Sequence, residues 1–272
     1  MEETGSTNND LVERARNGAP SGEVLIARHQ TAGKGRQGRT WFDQPDASLL
    51  MSWSTDIESA LAPLVPLVVG TAVAEALDAA VGRRVAALKW PNDVLIPELG
   101  ERKITGILAE AVQLDPTDSV GVGGTAGPTL RVVVGMGTNL DLRLGDANVP
   151  DDVASRAADL ASLTNGTINR AAIVEALLDA CDECITRLES SVDEALEVYR
   201  DRCITIGRAV RFETPAGVLD GTATAVADDG ALLLETADGV AHRLVAGDAH
   251  HAGGHHADSR HSGPDRAPRQ AD

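Results

Sequence analysis

Gln30-Thr31-Ala32-Gly33-Lys34-Gly35-Arg36-Gln37-Gly38-Arg39-Thr40-Trp41 comes directly after Glu23 to Arg28, a short apolar run that reads as a strand. Gly33, Gly35 and Gly38 let the backbone turn tightly, so successive amide N–H groups can line a concavity for an anion. Lys34, Arg36 and Arg39 add positive charge to the same loop. On physics alone this is an anion site, phosphates foremost, with a merely mobile basic loop as the rival reading. It lacks both the GK[ST] ending of a Walker loop and the GxGxxG spacing of a dinucleotide fingerprint.

Working outward, Lys89-Trp90-Pro91-Asn92-Asp93 ends a strand with a proline turn and puts a cation, an amide and a carboxylate together. Lys103-Ile104-Thr105-Gly106-Ile107-Leu108-Ala109-Glu110 sets a lysine at a strand mouth, with a glycine for close approach. Gly135-Met136-Gly137-Thr138-Asn139-Leu140 closes another strand with two glycines and an amide. Of the 24 Lys and Arg only Lys34, Lys89 and Lys103 are lysines, and all fall within these elements. In a chain that otherwise uses arginine, that placement suggests a compact charge is wanted there, with chance as the alternative.

Glu23 to Arg28, Ser48 to Ser54, Val85 to Trp90, Thr105 to Leu114 and Leu130 to Met136 are the strand candidates. Helical spacing runs from Leu64 to Ala80, and from Ile173 to Leu188 behind a cap at Asn169. An α+β layer fold follows. Asp115 to Pro128 reads as a long hairpin loop. From Cys203 the pattern changes to short alternating runs with Asp229-Gly230 and Asp238-Gly239 turns, a small β-barrel. The expected division is 1–202, 203–249, and a disordered His-rich tail over 250–272, with no Val, Ile, Leu, Met, Phe, Tyr or Trp beyond His250.

A formal charge of -17 argues against a general nucleic-acid surface. Acidic, lysine-poor, aromatic-poor composition resembles that of proteins from salt-loving cytoplasms. No stretch is expected to cross a bilayer, because Leu61 to Val81 is interrupted by Pro63, Pro66, Glu75 and Asp78. The N-terminus lacks a secretory layout, so a cytoplasmic location is expected. Cys181 and Cys184 have redox spacing, but inside a helical pattern without flanking Gly or Pro they read as ordinary core or edge cysteines. His250, His251, His255, His256 and His261 could bind metal, adventitious binding being favoured over a designed site because no scaffold is expected there.

Together the GKGRQGR loop and the KWPND pentapeptide, with Ser6-Thr7-Asn8 near the start, resemble the biotin protein ligase family in order and spacing over roughly the first 140 residues. Agreement is weaker through the C-terminal domain. With only five residues ahead of Ser6, the chain is similar to the ligase-only form, without the repressors' DNA-binding domain. The resemblance implies a mixed-sheet, class II synthetase-like catalytic domain, shared with lipoate ligases, followed by an SH3-like barrel.

It also implies ATP and biotin as substrates with Mg2+, a biotin carboxyl carrier domain as partner, no specific DNA binding and no membrane. A homodimer is left open. Ser6, Thr7, Asn8, Gln30, Gly33, Lys34, Gly35, Arg36, Lys103, Gly106 and Gly135 are implied around biotin. Arg36, Gly38, Arg39, Trp41, Lys89, Asn92 and Asn139 are implied around the nucleotide, with Asn92 and Asp93 near the metal. Lys103, Arg36 and Arg39 are the implied catalytic cations. Lys34 stands where the family commonly has arginine, keeping charge but not a bidentate phosphate contact. Met136 and Thr138 also depart from its usual residues.

The chemistry implied is attack of the biotin carboxylate on the α-phosphate, which needs cations to hold two anions in line. A loop that orders over the adenylate would protect it from water. A protein lysine then attacks, although a free lysine of pKa ~10.4 is rarely neutral at pH 7. Competing readings are a lipoate ligase or octanoyl transferase, and a sensor that retains biotinyl-adenylate without transferring it.

Overall fold

The computed structural model describes residues 1–114, 128–144, 149–164, 166–214, 217–245 and 247–251. The first strand and helix are β1 (Glu3–Thr4) and α1 (Thr7–Arg16), followed by β2 (Val24–Ala27), β3 (His29–Gln30) and β4 (Ser48–Glu58). Next come α2 (Val65–Val81), β5 (Ala87–Lys89), β6 (Asp93–Ile96), β7 (Arg102–Gln113) and β8 (Thr129–Asn139). Four helices follow: α3 (Asp151–Ala154), α4 (Ala161–Thr164), α5 (Arg170–Ser190) and α6 (Val192–Arg202). The chain then forms β9 (Ala209–Thr214), β10 (Gly217–Val226), β11 (Leu232–Thr236), β12 (Ala241–Leu244) and β13 (Ala249–His251).

Six strands form one sheet in the order β2-β4-β8-β7-β6-β5. All its strand-to-strand ladders are antiparallel, and the mixed character comes from the short parallel β1–β3 ladder and from single parallel bridges of Leu88 to Cys203 and Lys103 to Ala157. Side chains alternate between faces with a period of two. On β8, Val132, Val134 and Met136 join Leu49, Met51 and Trp53 of β4 in the main core with α2 and α5. Val133, on the other face, packs with Leu11, Val12 and Ala15 of α1. β4 runs four residues past the expected Ser54, because its pairing with β8 continues to Glu58 opposite Thr129.

α2 corrects one expectation. Ala62–Val81 is, by length and composition, long and apolar enough to span a bilayer, yet most of it is buried inside the protein. Pro63 and Pro66 do not interrupt it, because they sit in the opening turns, where no intrahelical N–H is needed. Asp78 accepts from Val85 and Ala86 N–H and pairs with Arg202, so its charge is spent at the helix end. α5 starts where expected, with Asn169 accepting from the Ala172 N–H at 3.2 Å. Cys181, Cys184 and Cys203 are all free and buried, and burial pushes the Cys184 thiol up to about 12.

The second sheet has five strands in the order β12-β11-β10-β9-β13, antiparallel throughout. Gly230 and Gly239 take φ of 82° and 78° in the two expected turns. β13 carries ordered structure through His251, past the expected boundary at 249, because Ala249 to His251 pair with Phe212 to Val210. The rest of the expected tail and most of the expected hairpin loop, 115–127, lie outside the described residues. Trp90 joins the two sheets: its ring nitrogen donates to Gly230 O at 2.9 Å, and its ring lies 6.1 Å from that of Phe212.

Candidate active site

Directly paired residues on adjacent strands share a face, so the register identifies a row across the sheet: Leu50, Gly137, Gly106, Asp93 and Lys89. Beside it runs a second row, Ser52, Gly135 and Leu108, and then a third, Ser54, Val133 and Glu110. Three glycines on one face leave a floor without side chains. Trp41 lies over Gly106 and Gly137: a Cβ on either would come within 2.7 and 2.6 Å of its ring. Asn8 lies over Gly135, where a Cβ would meet its Oδ1 at 2.8 Å. Glycine is required here by close approach of another side chain, not by backbone conformation.

The glycine-rich loop is an ordered hairpin against this floor. Trp41 N–H donates to Gly33 O at 2.9 Å and Gly35 N–H to Arg39 O at 2.7 Å, while Lys34 and Thr40 bridge between them. Its tip is a 3-10 turn in which Gln37 and Gly38 take φ of 56° and 74°. The cations find partners within the protein. Lys34 donates to Asn9 at 2.8 Å, Arg36 to Asn92 Oδ1 at 3.0 Å, and Arg39 pairs with Asp248 at 2.6 Å. Lys103 Nζ pairs with Asp93 at 2.6 Å and stands 5.4 Å from the Trp41 ring centre.

Lys89 makes no ion pair among the described residues, and burial holds its pKa below the ordinary lysine value although Asp93 pulls the other way. At the junction with the second sheet, Trp90 N–H donates to Thr205 Oγ1, which shares a hydrogen bond with His251. Burial, helped by Lys89 and Arg208, lowers His251 to about 4, so it is neutral at pH 7.

A polar cluster fills the α1 end of the floor. Thr7 donates to Gln30 Oε1 from both its N–H, at 2.7 Å, and its hydroxyl, at 3.0 Å. Its Oγ lies 2.7 Å from Ser52 Oγ. Ser6 caps α1, its hydroxyl accepting from the Asn9 N–H. Asn8 Nδ2 donates to Glu110. Asp43, pushed above the ordinary carboxyl value by burial, accepts from the Gln30 N–H at 2.9 Å and meets His29.

Nearly all the residues singled out from the sequence therefore meet at one face and one end of the sheet. Asn139 differs in use: buried, it spends its NH2 on Lys103 O and Ala158 O, bracing the Lys103 turn. Asn92 likewise braces two elements, donating to Ile107 O at 2.8 Å while receiving Arg36. Ser52, Glu110, Asp43 and Asp248 complete the site and were missed. Glu110 stood inside a quoted motif; Asp248 carried no local signal, since it reaches Arg39 from 209 residues away. As for magnesium, Asn92 Oδ1 and the Asp93 carboxylate are hard oxygen donors on neighbouring residues, engaged by Arg36 and Lys103, and they fit an ion that keeps most of its waters and phosphate ligands once those cations turn to phosphate. No group of three His, Cys, Asp or Glu able to hold a metal by itself occurs among the described residues.

The sequence profile of the biotin/lipoate A/B protein ligase family matches residues 2–123, and that of the biotin protein ligase C terminal domain matches residues 205–251. The biotin--[acetyl-CoA-carboxylase] ligase of Mycobacterium tuberculosis is 34% identical over 240 residues, 86% of this chain and 81% of that protein. The bifunctional ligase/repressor of Bacillus spizizenii is 31% identical over 240 residues, 86% of this chain and 68% of that one. Among solved structures, the biotin protein ligase from Aquifex aeolicus in complex with biotin and ATP is similar at a TM-score of 0.71 and 26% identity, covering 92% of this chain and 95% of that chain.

Proposed function

Since this chain belongs to the biotin/lipoate A/B protein ligase family, we infer that its site activates biotin with ATP and transfers it to a lysine of a biotin carboxyl carrier domain. The enzyme is an ATP-dependent biotin ligase. The observation that carries this reading is Lys103, held by Asp93 beside the glycine floor and directly under Trp41 of the cationic loop.

Biotin is placed at the α1 end of the floor, its ring toward Thr7, Asn8, Ser52 and Gln30 and its carboxylate toward Lys103, alongside Trp41, which covers Gly106 and Gly137. A carboxylate oxygen attacks the α-phosphorus of ATP, a mixed anhydride forms, and the bond to pyrophosphate breaks. Lys103 serves both anions. Arg36 and Arg39 exchange Asn92 and Asp248 for phosphate oxygens, a swap of one charge-assisted contact for another. Magnesium, entering with ATP, would meet Asn92 and Asp93 and neutralise phosphate charge. Trp41 and the Gly33–Gly38 hairpin keep water from the adenylate. In the second step the acceptor amine attacks the acyl carbon, the amide forms and AMP leaves, while the lysine proton passes to solvent or a nearby carboxylate. The catalytic unit spans about residues 1–202, and the second sheet, from about 203, supports it through Trp90 and Asp248. Three free, buried cysteines suit a cytoplasmic location.

The test is the mass of a purified biotin acceptor domain after incubation with the protein, biotin and magnesium ATP. One biotin-sized gain is expected, and Lys103→Ala should slow it about a thousandfold, roughly 4 kcal/mol of transition-state stabilisation. Lipoyl or octanoyl transfer in place of biotin, or adenylate held without transfer, would replace this function with one of its rivals.

A further inference from the structure

Buried beside the glycine floor, Asn8 is 4% exposed and uses only half of its amide. Its Nδ2 donates to Glu110, while its Oδ1 has no hydrogen-bond partner among the described residues. An amide can be turned either way, and the choice decides whether it offers a donor or an acceptor to whatever lies on the floor. Glu110 removes the choice. A carboxylate has only acceptors to offer, so the NH2 end of Asn8 must face it and the Oδ1 must face the floor over Gly135.

The neighbours extend this polarity. Thr7 gives its hydroxyl hydrogen to Gln30 Oε1, so in the 2.7 Å contact between the two hydroxyls Ser52 is the donor. Ser52 Oγ therefore keeps its lone pairs as acceptors beside Gly135, where a Cβ would lie 3.5 Å from it. With Gln30 Oε1 taken by Thr7, the Nε2 of Gln30 is the end that can donate. The end of the floor thus presents two acceptors and one donor, complementary to a cyclic urea with two N–H groups and one C=O. A buried acceptor without a partner is costly in the free protein, and a ligand N–H removes that cost on binding.

We propose that Glu110 is a positioning residue for recognition of the biotin ureido ring: by holding Asn8 Nδ2 it commits Asn8 Oδ1 to accept a ureido N–H. The assignment rests on the biotin-ligase reading above. Glu110 lies in the third row, four residues along β7 from Gly106 and away from Lys103, so its effect belongs to biotin affinity and reaches biotin through Asn8.

Initial rates of biotin-dependent pyrophosphate release, with biotin and ATP varied in turn, test this in Glu110→Leu, Asn8→Ala and the double variant. Each single change should raise the biotin KM about tenfold, the worth of one good hydrogen bond, with the ATP KM and kcat within about twofold of wild type. The double variant should be no worse than either single one, because both remove the same contact. If Glu110→Leu fails to fold, Glu110→Gln carries the test: it keeps the shape but lets the amide turn, so the biotin KM should rise about threefold, and not at all in an Asn8→Ala background. Multiplying effects in the double variant, or a parallel rise in the ATP KM, would overturn the proposal while leaving the ligase intact. A wild-type protein that releases no pyrophosphate with biotin would remove the ligase reading and this inference together.

Discussion

The two faces of the six-stranded sheet are made from the same strands and differ in almost every physical respect. On the helical face, Leu49, Met51, Trp53, Val132, Val134 and Met136 are at most 4% exposed and pack into one cluster with α2 and α5. On the opposite face Val133 packs under α1, but its neighbours there are Leu50, Ser52, Gly135 and Gly137, and the groups above them include polar atoms without hydrogen-bond partners among the described residues, Asn8 Oδ1 and Trp41 Nε1. Each such atom costs about 1–3 kcal/mol. A site face can carry that cost because the helical face supplies the burial. Alternation by two lets one strand serve stability with its odd residues and ligand space with its even ones, or the reverse.

Three substitutions break or sharpen this division. Leu77→Ala, in α2 at 1% exposure, should lower the unfolding free energy by about 3 kcal/mol through lost burial and a cavity. Chemical denaturation reads the loss, and the ligase rate per folded molecule should be unchanged. Gly137→Ala adds one methyl on the other face, 2.6 Å from the Trp41 ring. It should leave the melting temperature nearly alone, yet lower kcat/KM about thirtyfold, roughly 2 kcal/mol, by lifting Trp41 off the floor. Equal losses of stability and rate in both variants would show that the faces are not separate. Lys89→Met removes a partly buried charge that has no ion pair among the described residues, so the protein should gain about 1 kcal/mol in stability while the ATP KM rises. A loss of stability instead would mean that Asp93 supports the lysine more than burial opposes it.

The ease of reading differed from element to element for physical reasons. α2 and α5 carry long apolar stripes, and the cap of α5 is a single residue in the right place. α1 escaped because only Leu11, Val12 and Ala15 carry its apolar side, among polar residues that serve the site. β6 has four residues, too few to show a period, and exists because β5 and β7 flank it. Trp90 could be placed at a strand end by its proline turn, but its role as the anchor between sheets depends on Gly230 and Phe212, more than a hundred residues later in the chain. Pro63 and Pro66 leave α2 unbroken because proline breaks a helix only in its interior, and which turn a proline occupies is set by where the helix begins.

By itself the sequence determined which segments could be anionic loops, turns, stripes and strands, and through the GKGRQGR and KWPND elements which ligands they suit. Those are local properties, set by backbone freedom, period and charge within a few residues. Only the tertiary structure decided which glycines make the floor, that Asn139 braces rather than reaches outward, that Asp248 crosses from the second sheet to the loop, and that Glu110 sets the direction of Asn8. Each of these rests on register and contact between residues far apart in the chain, and a hydrogen bond's direction is settled by what both partners can donate or accept once packing has brought them together.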